Sequence, residues 1–309
     1  MKIEDINKTT DKESSNNRKR NPLWWFTVVL ILCFGTGFLI FLQSNTTSQP
    51  LEVQANWERT RYIHQIEIDY IIRDDYVVEL EALESKREFF NYITDNYDAF
   101  IMDSQHIWFA DNGFDLYIDP ATAPPLELSP IGYRIDVCLN FLELNPISTV
   151  NTIPIKEQIN WNSSVLNILV PEHLKPYEKY IKLLYLEDFY FRQVIVDNHY
   201  NEELGLPLNT TSINELSINI IYVESEQYYF SFDPTLRPET GGRILDPIAV
   251  VYTGNIHNSF LGSWFSQGSV YFQSQTDIQN AIFYTLAKHE LDDISRINSV
   301  YEQSNQIIQ

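Results

Sequence analysis

The hydrophobic positions of this chain fall into one long uncharged run and many short ones. Residues 23–42 read LWWFTVVLILCFGTGFLIFL, twenty residues without a charge. At about 1.5 Å per residue a helix of this length spans about 30 Å, the hydrocarbon thickness of a bilayer. We therefore expect a transmembrane helix at 23–43, with a membrane anchor formed by the following residues: Trp24, Trp25, Phe26, Leu30, Leu39 and Leu42.

The charges that flank this run set its direction. Arg18, Lys19 and Arg20 lie just before it, whereas the stretch after it carries little charge. The positive-inside rule then places the N-terminus in the cytoplasm and the C-terminal part outside the cell, which makes the chain a single-pass protein of the cell membrane. Two alternatives stay open: a cleaved signal peptide with a site near Ala55, and a lipoprotein signal ending at Cys33.

Downstream of residue 43 the pattern alternates between the period of a strand and that of a helix. We divide the chain into a disordered cytoplasmic tail at 1–22, the membrane helix, a linker at 44–56, an extracellular α+β domain at 57–290 and an amphipathic C-terminal segment at 291–309. Strands are predicted at 62–72, 165–170, 248–252 and 269–272, and helices at 82–97 and from Pro171-Glu172 to about 191, with Pro176 disturbing the first turn.

Two antiparallel hairpins are also expected. Asn112-Gly113 separates the apolar runs 107–110 and 114–118, and Asn-Gly suits a tight turn with positive φ. Residues 224–227 separate the runs 218–223 and 228–232 in a similar way. A capping box at 276–279, with Thr276 and Gln279, predicts a further helix.

Composition adds the charge to this picture. The chain carries 42 acidic and 21 basic residues, a net charge of −21. A surface of this charge repels nucleic acid and could attract a cationic peptide. Cys33 lies inside the predicted membrane helix and Cys138 lies far outside it, so no intrachain disulfide is expected, which fits a Gram-positive surface.

Catalytic motifs are missing from the sequence. His289-Glu290 is not followed by a second histidine at the zinc-protease spacing. The grouping of Asp197, His199 and Glu202 could suggest a metal site, but such a grouping is common on polar loops, and we interpret it as surface. Cys138 lies in an apolar stretch and is interpreted as a buried small residue. We therefore predict no enzyme, no catalytic, cofactor-binding or metal-binding residue, and no cofactor.

Five segments taken in order resemble one family. They are FLELNPI at 141–147, LNILVPEHLKPYEKYI at 166–181, VDNHYNEELGLPLN at 196–209, INIIYVESEQYYFSF at 218–232 and DPIAVVYTGNIHNSFLGSWFSQGSVYF at 246–272. In that order the chain resembles the extracellular domain of the bacteriocin-associated integral membrane proteins of Gram-positive bacteria. That family comprises immunity or export permeases of ABC transporters, related to the FtsX-type and macrolide-exporter-type permeases.

The resemblance implies an N-terminal membrane helix, a large external domain and later membrane helices that couple to a cytosolic ATPase. This sequence lacks the later helices, so we expect a portion truncated or split from them, with a permease partner and an ATPase as its partners. The alternative is a membrane-anchored module that binds or senses cationic peptides. An ectoenzyme, built on Asp197, His199 and Glu202, is the third hypothesis.

Overall fold

The computed structural model describes residues 53–69, 75–111, 124–275, 282 and 294–308. The predicted tail, the predicted membrane helix and most of the linker lie outside these residues, and so do the Asn112-Gly113 turn and the capping box at 276–279. Among the residues that are described, no helix has both the length and the apolar character needed to cross a membrane.

In chain order the strands of the described residues are β1 Ile63–Ile68, β2 Phe100–Asp103, β3 Arg134–Val137, β4 Val165–Pro171, β5 Ser217–Val223, β6 Tyr228–Phe230, β7 Arg243–Leu245, β8 Ile248–Val251, β9 Val270–Gln273 and β10 Ile294–Ser299. Eight of them form one mixed sheet in the order β10-β1-β9-β2-β3-β8-β4-β5. Neighbouring strands are antiparallel except in the pairs β3–β8 and β4–β5, which are parallel. Two short strands, β6 and β7, pair antiparallel in a separate sheet.

The central strands of the sheet are covered on both faces. Every residue of β2, β3, β4 and β8 is buried, including the charged residues of β3. Strands covered on both faces do not need the alternation of a half-exposed strand. This confirms the buried strand predicted at 165–170 and the strand predicted at 248–252. The strand predictions at 62–72 and 269–272 are also confirmed, as β1 and β9.

Helices flank the sheet. The longest, α1 (Tyr76–Tyr97), begins at the Asp75 side chain, which accepts a hydrogen bond from the Val77 amide. It confirms the helix predicted at 82–97 and adds six residues at its start. Further α-helices within the described residues are α2 Gln105–Asp111, α3 Leu139–Leu144, α4 Ile155–Gln158, α5 Glu178–Tyr190, α6 Val196–Glu203, α7 Asn258–Ser266 and α8 Val300–Ile308, and residues 53–58 are helical as well.

A continuous helical segment follows β4. It starts as a 3₁₀ helix, Glu172–Tyr177, which contains Pro176, and this confirms the predicted irregular first turn. It continues as α5, passes through a π-helical turn, Phe191–Ile195, and ends as α6. The helical segment therefore extends beyond its predicted end near residue 191.

Neither predicted hairpin appears in the described residues. The run 107–110 lies in α2 rather than in a strand, and its predicted partner is outside the described residues. The second hairpin is wrong, because β5 pairs with β4 while β6 pairs with β7. The Asp246 carboxylate accepts hydrogen bonds from the backbone amides of Glu226 (2.8 Å) and Gln227 (2.9 Å), which ties this turn to the chain after β7.

The predicted C-terminal segment at 291–309 contains a strand and a helix. Its strand, β10, pairs antiparallel with β1, with His64 opposite Ser299. β10 is thus the edge strand of the same sheet as β1. Helix α8 follows directly. The mixed α+β class is confirmed in this general form: helices and strands are combined with a large sheet.

Candidate functional site

The grouping of Asp197, His199 and Glu202 lies on helix α6 rather than on the expected loop. The Asp197 carboxylate accepts a hydrogen bond from the side-chain amide of Asn209 at 3.1 Å, and the centre of the His199 ring lies 5.8 Å from that of Tyr76, in an edge-on contact. Within the described ranges, no group of three or more histidine, cysteine, aspartate or glutamate side chains is arranged to hold a metal ion.

Cys138 is buried, as predicted. It lies at the start of helix α3, and its sulfur accepts a hydrogen bond from the backbone amide of Ile101 at 3.4 Å. Burial raises the pKa of its thiol, because the thiolate would lose its hydration. The thiol therefore stays protonated near neutral pH and is a poor nucleophile.

The most unusual grouping of charges lies inside the domain. Asp136 on β3 contacts two guanidinium groups: its Oδ2 accepts from Arg134 at 2.6 Å, and its Oδ1 accepts from Arg192 at 3.0 Å. A second carboxylate, Asp188 on α5, contacts Arg134 at 3.0 Å and Arg192 at 3.8 Å. We call these four residues the buried ion network, because none of their side chains is more than 14% exposed.

The surroundings of the network are aromatic. The Arg192 guanidinium lies 4.7 Å from the ring centre of Phe260 and 5.8 Å from that of Trp264, both on α7. Cation–π contacts of this kind stabilise a desolvated arginine. They compensate in part for the Nε and Nη2 atoms of Arg192, which are buried and have no hydrogen-bond partner among the described residues.

The π-helical turn positions Arg192. Such a turn contains one residue more than an α-helical turn and changes the direction of its side chains. Arg192 lies within it and is buried, whereas Phe191 and Ile195, at its two ends, are about half exposed. Arg192 thus points towards β3 and fixes the helical segment against the sheet.

Electrostatic effects within the network agree with its geometry. Burial alone would raise the pKa of Asp136, but the charges of Arg134 and Arg192 outweigh that effect and lower the pKa to about 2.

Two buried ionisable residues lie outside the network, and the first, Asp103, is opposite Asp136 across the β2–β3 pair. Burial and the neighbouring Asp136 charge raise the pKa of Asp103 to about 6, although its Oδ1 accepts a hydrogen bond from the Ser269 hydroxyl at 2.8 Å. Burial lowers the pKa of His106, on α2, to about 4.

The chemistry available to the network is limited by its burial. A general acid or base must reach a substrate proton within about 3 Å, and Asp136 is only 1% exposed. The network instead joins β3, α5, the π-helical turn and α7. Sequence reasoning missed it. Two signals were present: a charged pair inside an otherwise apolar strand, Arg134 and Asp136, and the spacing of four between Asp188 and Arg192.

The two ends of the described domain meet at one edge of the sheet. The Tyr301 hydroxyl of α8 donates a hydrogen bond to Glu58, which precedes β1, at 2.9 Å. The guanidinium of Arg61 lies 5.3 Å from the centre of the same Tyr301 ring. The chain therefore enters β1 beside the place where it leaves β10.

The predicted membrane-anchor residues and the predicted topology-setting residues, Arg18, Lys19 and Arg20, lie outside the described residues. Comparison with known proteins adds no assignment: no family model, no curated protein and no solved structure matches this chain.

Proposed function

We propose that this chain is a non-catalytic extracellular portion of an ABC-transporter-type permease that acts in bacteriocin export or immunity. In this proposal residues 23–42 anchor it in the cell membrane with the N-terminus in the cytoplasm. A permease partner and a cytosolic ATPase complete the complex. The observation that carries the proposal is the pairing of the first and last described strands, β1 and β10.

The pairing matters because a domain inserted between two membrane helices must begin and end at the same side. β1 and β10 run antiparallel, so the start of β1 lies next to the end of β10. The contact of Tyr301 with Glu58 keeps the entering and leaving segments together. A module attached to the membrane through its N-terminus alone has no need of this arrangement. Adjacent chain ends are also frequent in other domains, so the crosslinking test at Asn305 separates the permease role from a one-sided anchor.

The proposal assigns no catalysis to the chain. The buried ion network contains two arginines and two aspartates, so its charges already neutralise one another. Networks that are enclosed in this way hold structural elements in place rather than react with ligands. Binding and mechanical coupling are then the tasks left to the domain.

The orientation can be tested by labelling single cysteines in intact Gram-positive cells. Cys33 is replaced by serine, and Cys138 stays as an internal residue that is shielded from reagent. A cysteine is introduced at Glu202, which is exposed in the domain, or at Ser14 in the tail. We expect a membrane-impermeant maleimide to label the Glu202→Cys protein and to label the Ser14→Cys protein only after lysis. Labelling of Ser14→Cys in intact cells would refute the orientation.

The complex can be tested with a photo-crosslinking residue at Asn305, an exposed position of α8. The proposal predicts crosslinks in the native host to a membrane protein that copurifies with an ATPase. The same residue placed at Glu202 serves as the control, because this position lies on α6, away from the chain ends. The absence of any membrane partner at Asn305 would contradict the permease role.

The charge of the chain favours a second candidate, a surface module for cationic peptides. The net charge of −21 gives such peptides a long-range attraction. This candidate predicts that the purified chain binds a cationic peptide in calorimetry while no membrane partner is crosslinked at Asn305. The presence or absence of a membrane partner at Asn305 thus separates the two functions.

A further inference from the structure

Strand β5 forms one edge of the eight-stranded sheet, and most of this edge is open among the described residues. Its inner side pairs in parallel with β4 along its whole length, from Ser217 to Val223. On its outer side only the last part is covered, by residues 148–150, in which Thr149 forms a bridge with Val223. We call residues 148–150 the covering segment. The backbone of residues 217–221 therefore has no outer neighbour within the part of the chain that the structure describes.

The hydrogen bonds of β5 show which of its backbone groups point outwards. The Ser217 amide donates a hydrogen bond at 3.0 Å to the chain just before β4. Since successive residues of a strand direct their backbone groups to opposite sides, the amide and carbonyl groups of Ile218 and Ile220 point away from β4. The next outward carbonyl, that of Tyr222, accepts from the Val150 amide at 3.1 Å, which agrees with this alternation. The open edge thus presents two donors and two acceptors.

The two edges of the sheet differ in how they discourage pairing with another strand. Natural edge strands are commonly protected by charged residues, proline or bulges. The edge at β10 has such features, since Arg296 is 66% exposed and the β1–β10 register shifts between Glu67 and Ile68. β5 reads SINIIYV, with no charge, no proline and no glycine. A strand rich in isoleucine and valine is suited to pairing, and it would promote aggregation if nothing covered it.

Exposed apolar side chains lie next to the open edge. Trp161 is 64% exposed and directly follows Asn160, whose backbone amide donates to the Asn167 side chain at 2.8 Å. The same Asn167 oxygen accepts from the side chain of Asn219 at 2.9 Å, so Trp161 lies near the face of the sheet that Asn219 occupies. Val150, in the covering segment, is exposed as well. Tryptophan is enriched among the residues that anchor protein interfaces, and an exposed one beside an open strand edge favours a protein partner.

The open edge matches a second copy of itself. Two β5 strands can run antiparallel with Ile218 of one copy opposite Ile220 of the other, so that each outward amide meets an outward carbonyl. Each of the two opposed pairs then exchanges two hydrogen bonds. Asn219 lies opposite Asn219 at the two-fold axis. A shift towards Tyr222 would bring the second copy against Val150, and the opposite shift would leave outward groups without partners, so one register is favoured.

Charge does not oppose this register at the junction. The acidic residues that flank β5, Glu215 and Glu224, lie beyond the paired residues 217–221, so no two acids face each other across the paired strands. At long range, two chains with a net charge of −21 repel each other. Salt screens this repulsion, so a dimer joined at β5 should become tighter as the salt concentration rises.

We propose that β5 is a dimer interface, at which two copies of the chain join their eight-stranded sheets into one continuous sheet. The backbone of residues 217–221 supplies the hydrogen bonds, and Trp161 of each copy packs across the junction against the other copy. The chain ends at β1 and β10 stay free, because they lie at the opposite edge of the sheet. The inference does not depend on the permease role.

The register is tested by disulfide formation in the full chain, solubilised in detergent and with Cys33 replaced by serine. In Asn219→Cys the two new cysteines face each other in a non-hydrogen-bonded pair, with Cα atoms about 4.5 Å apart, which a disulfide can bridge. Oxidation with copper phenanthroline is expected to give a covalent dimer. Ser217→Cys is the matched control: it is exposed on the same strand, but its two copies are offset by about 13 Å along the strands, and it should remain monomeric on a non-reducing gel.

Sedimentation velocity of the detergent-solubilised chain gives the affinity of the dimer. Trp161→Ala changes an exposed side chain and is expected to weaken the dimer about tenfold, as for an interface anchor. Tyr62→Ala, also a change of an exposed aromatic residue but near the opposite edge, should leave the affinity unchanged. The proposal is overturned if the wild type is monomeric at every concentration and salt level, if Ser217→Cys crosslinks as well as Asn219→Cys, or if Trp161→Ala and Tyr62→Ala have the same effect.

Discussion

Replacing Asp136 by asparagine removes the charge that holds the buried ion network together and keeps the size of the side chain. Asp136 lies between two guanidinium groups, at 2.6 Å from Arg134 and 3.0 Å from Arg192. In the variant only Asp188 remains to balance both arginines, and it is 3.8 Å from Arg192. The new amide also directs N–H donors at groups that are themselves donors.

The expected loss of stability is large because the arginines cannot reach water. The side chains of Arg134 and Arg192 are 4% and 1% exposed. Removing one partner of a buried ion pair typically costs about 3–5 kcal/mol, since a charge is left uncompensated in a poorly polarisable environment. A domain of ordinary stability has about 5–15 kcal/mol in total. Asp136→Asn is therefore predicted to lose about a fifth or more of the free energy of unfolding.

The measurement is urea unfolding of the detergent-solubilised chain at pH 7, followed by near-ultraviolet circular dichroism, which reports the packing of aromatic side chains. Asp95→Asn, an exposed substitution on α1, is the control and should change the free energy of unfolding by less than about 0.5 kcal/mol. If Asp136→Asn stays within about 1 kcal/mol of the wild type with an unchanged denaturant slope, the network does not stabilise the fold as argued here.

Three further predictions concern other buried positions. The pKa of Asp103 is about 6 in the folded chain and about 4 in the unfolded chain, so the free energy of unfolding of the wild type falls as the pH rises from about 4 to 6. In Asp103→Asn this loss is absent. Its free energy of unfolding, measured by urea unfolding, should exceed that of the wild type by up to about 3 kcal/mol at pH 8 and should equal it at pH 4. Cys138 should resist iodoacetamide in the folded chain, because it is buried, and should react when the chain is unfolded in about 8 M urea. Mass spectrometry measures the modified fraction. Gly132→Ala would place a Cβ atom 2.1 Å from the carbonyl oxygen of Leu126 and should lower the free energy of unfolding by more than about 2 kcal/mol in the same urea assay. In the control, Gly205→Ala, the new Cβ atom meets nothing within 4 Å. This variant should lose only about 1 kcal/mol, from the strain of a positive φ.

Local patterns predicted the elements whose environment is simple. The apolar runs at 165–170 and 248–252 become strands because both of their faces are covered, and the helix at 82–97 follows from its period. The hairpin predicted around residues 224–227 fails for a non-local reason: Asp246, about twenty residues further on, binds the backbone of the turn. A turn pattern cannot reveal such a contact.

The buried ion network was out of reach of sequence reasoning for the same physical reason. Arg134 and Asp188 are separated by 54 residues, and Asp136 and Arg192 by 56, so their contacts form only when the helical segment folds back on β3. Each half of the network gives a weak signal that equally fits a solvated ion pair. Only the burial of all four side chains distinguishes the two cases.

The positions of the network and of the chain ends have a joint consequence for the proposed permease role. The network fixes the long helical segment to β3, in the interior of the sheet, and its partners are costly to separate. The chain enters the sheet at β1 and leaves it at β10, and these two strands lie together at one edge of the sheet. A domain stiffened at its centre and held at one edge would move as a unit when the membrane helices at that edge move. Coupling to an ATPase would then reach the far strands, β4 and β5, by rigid rotation and would need no rearrangement within the sheet.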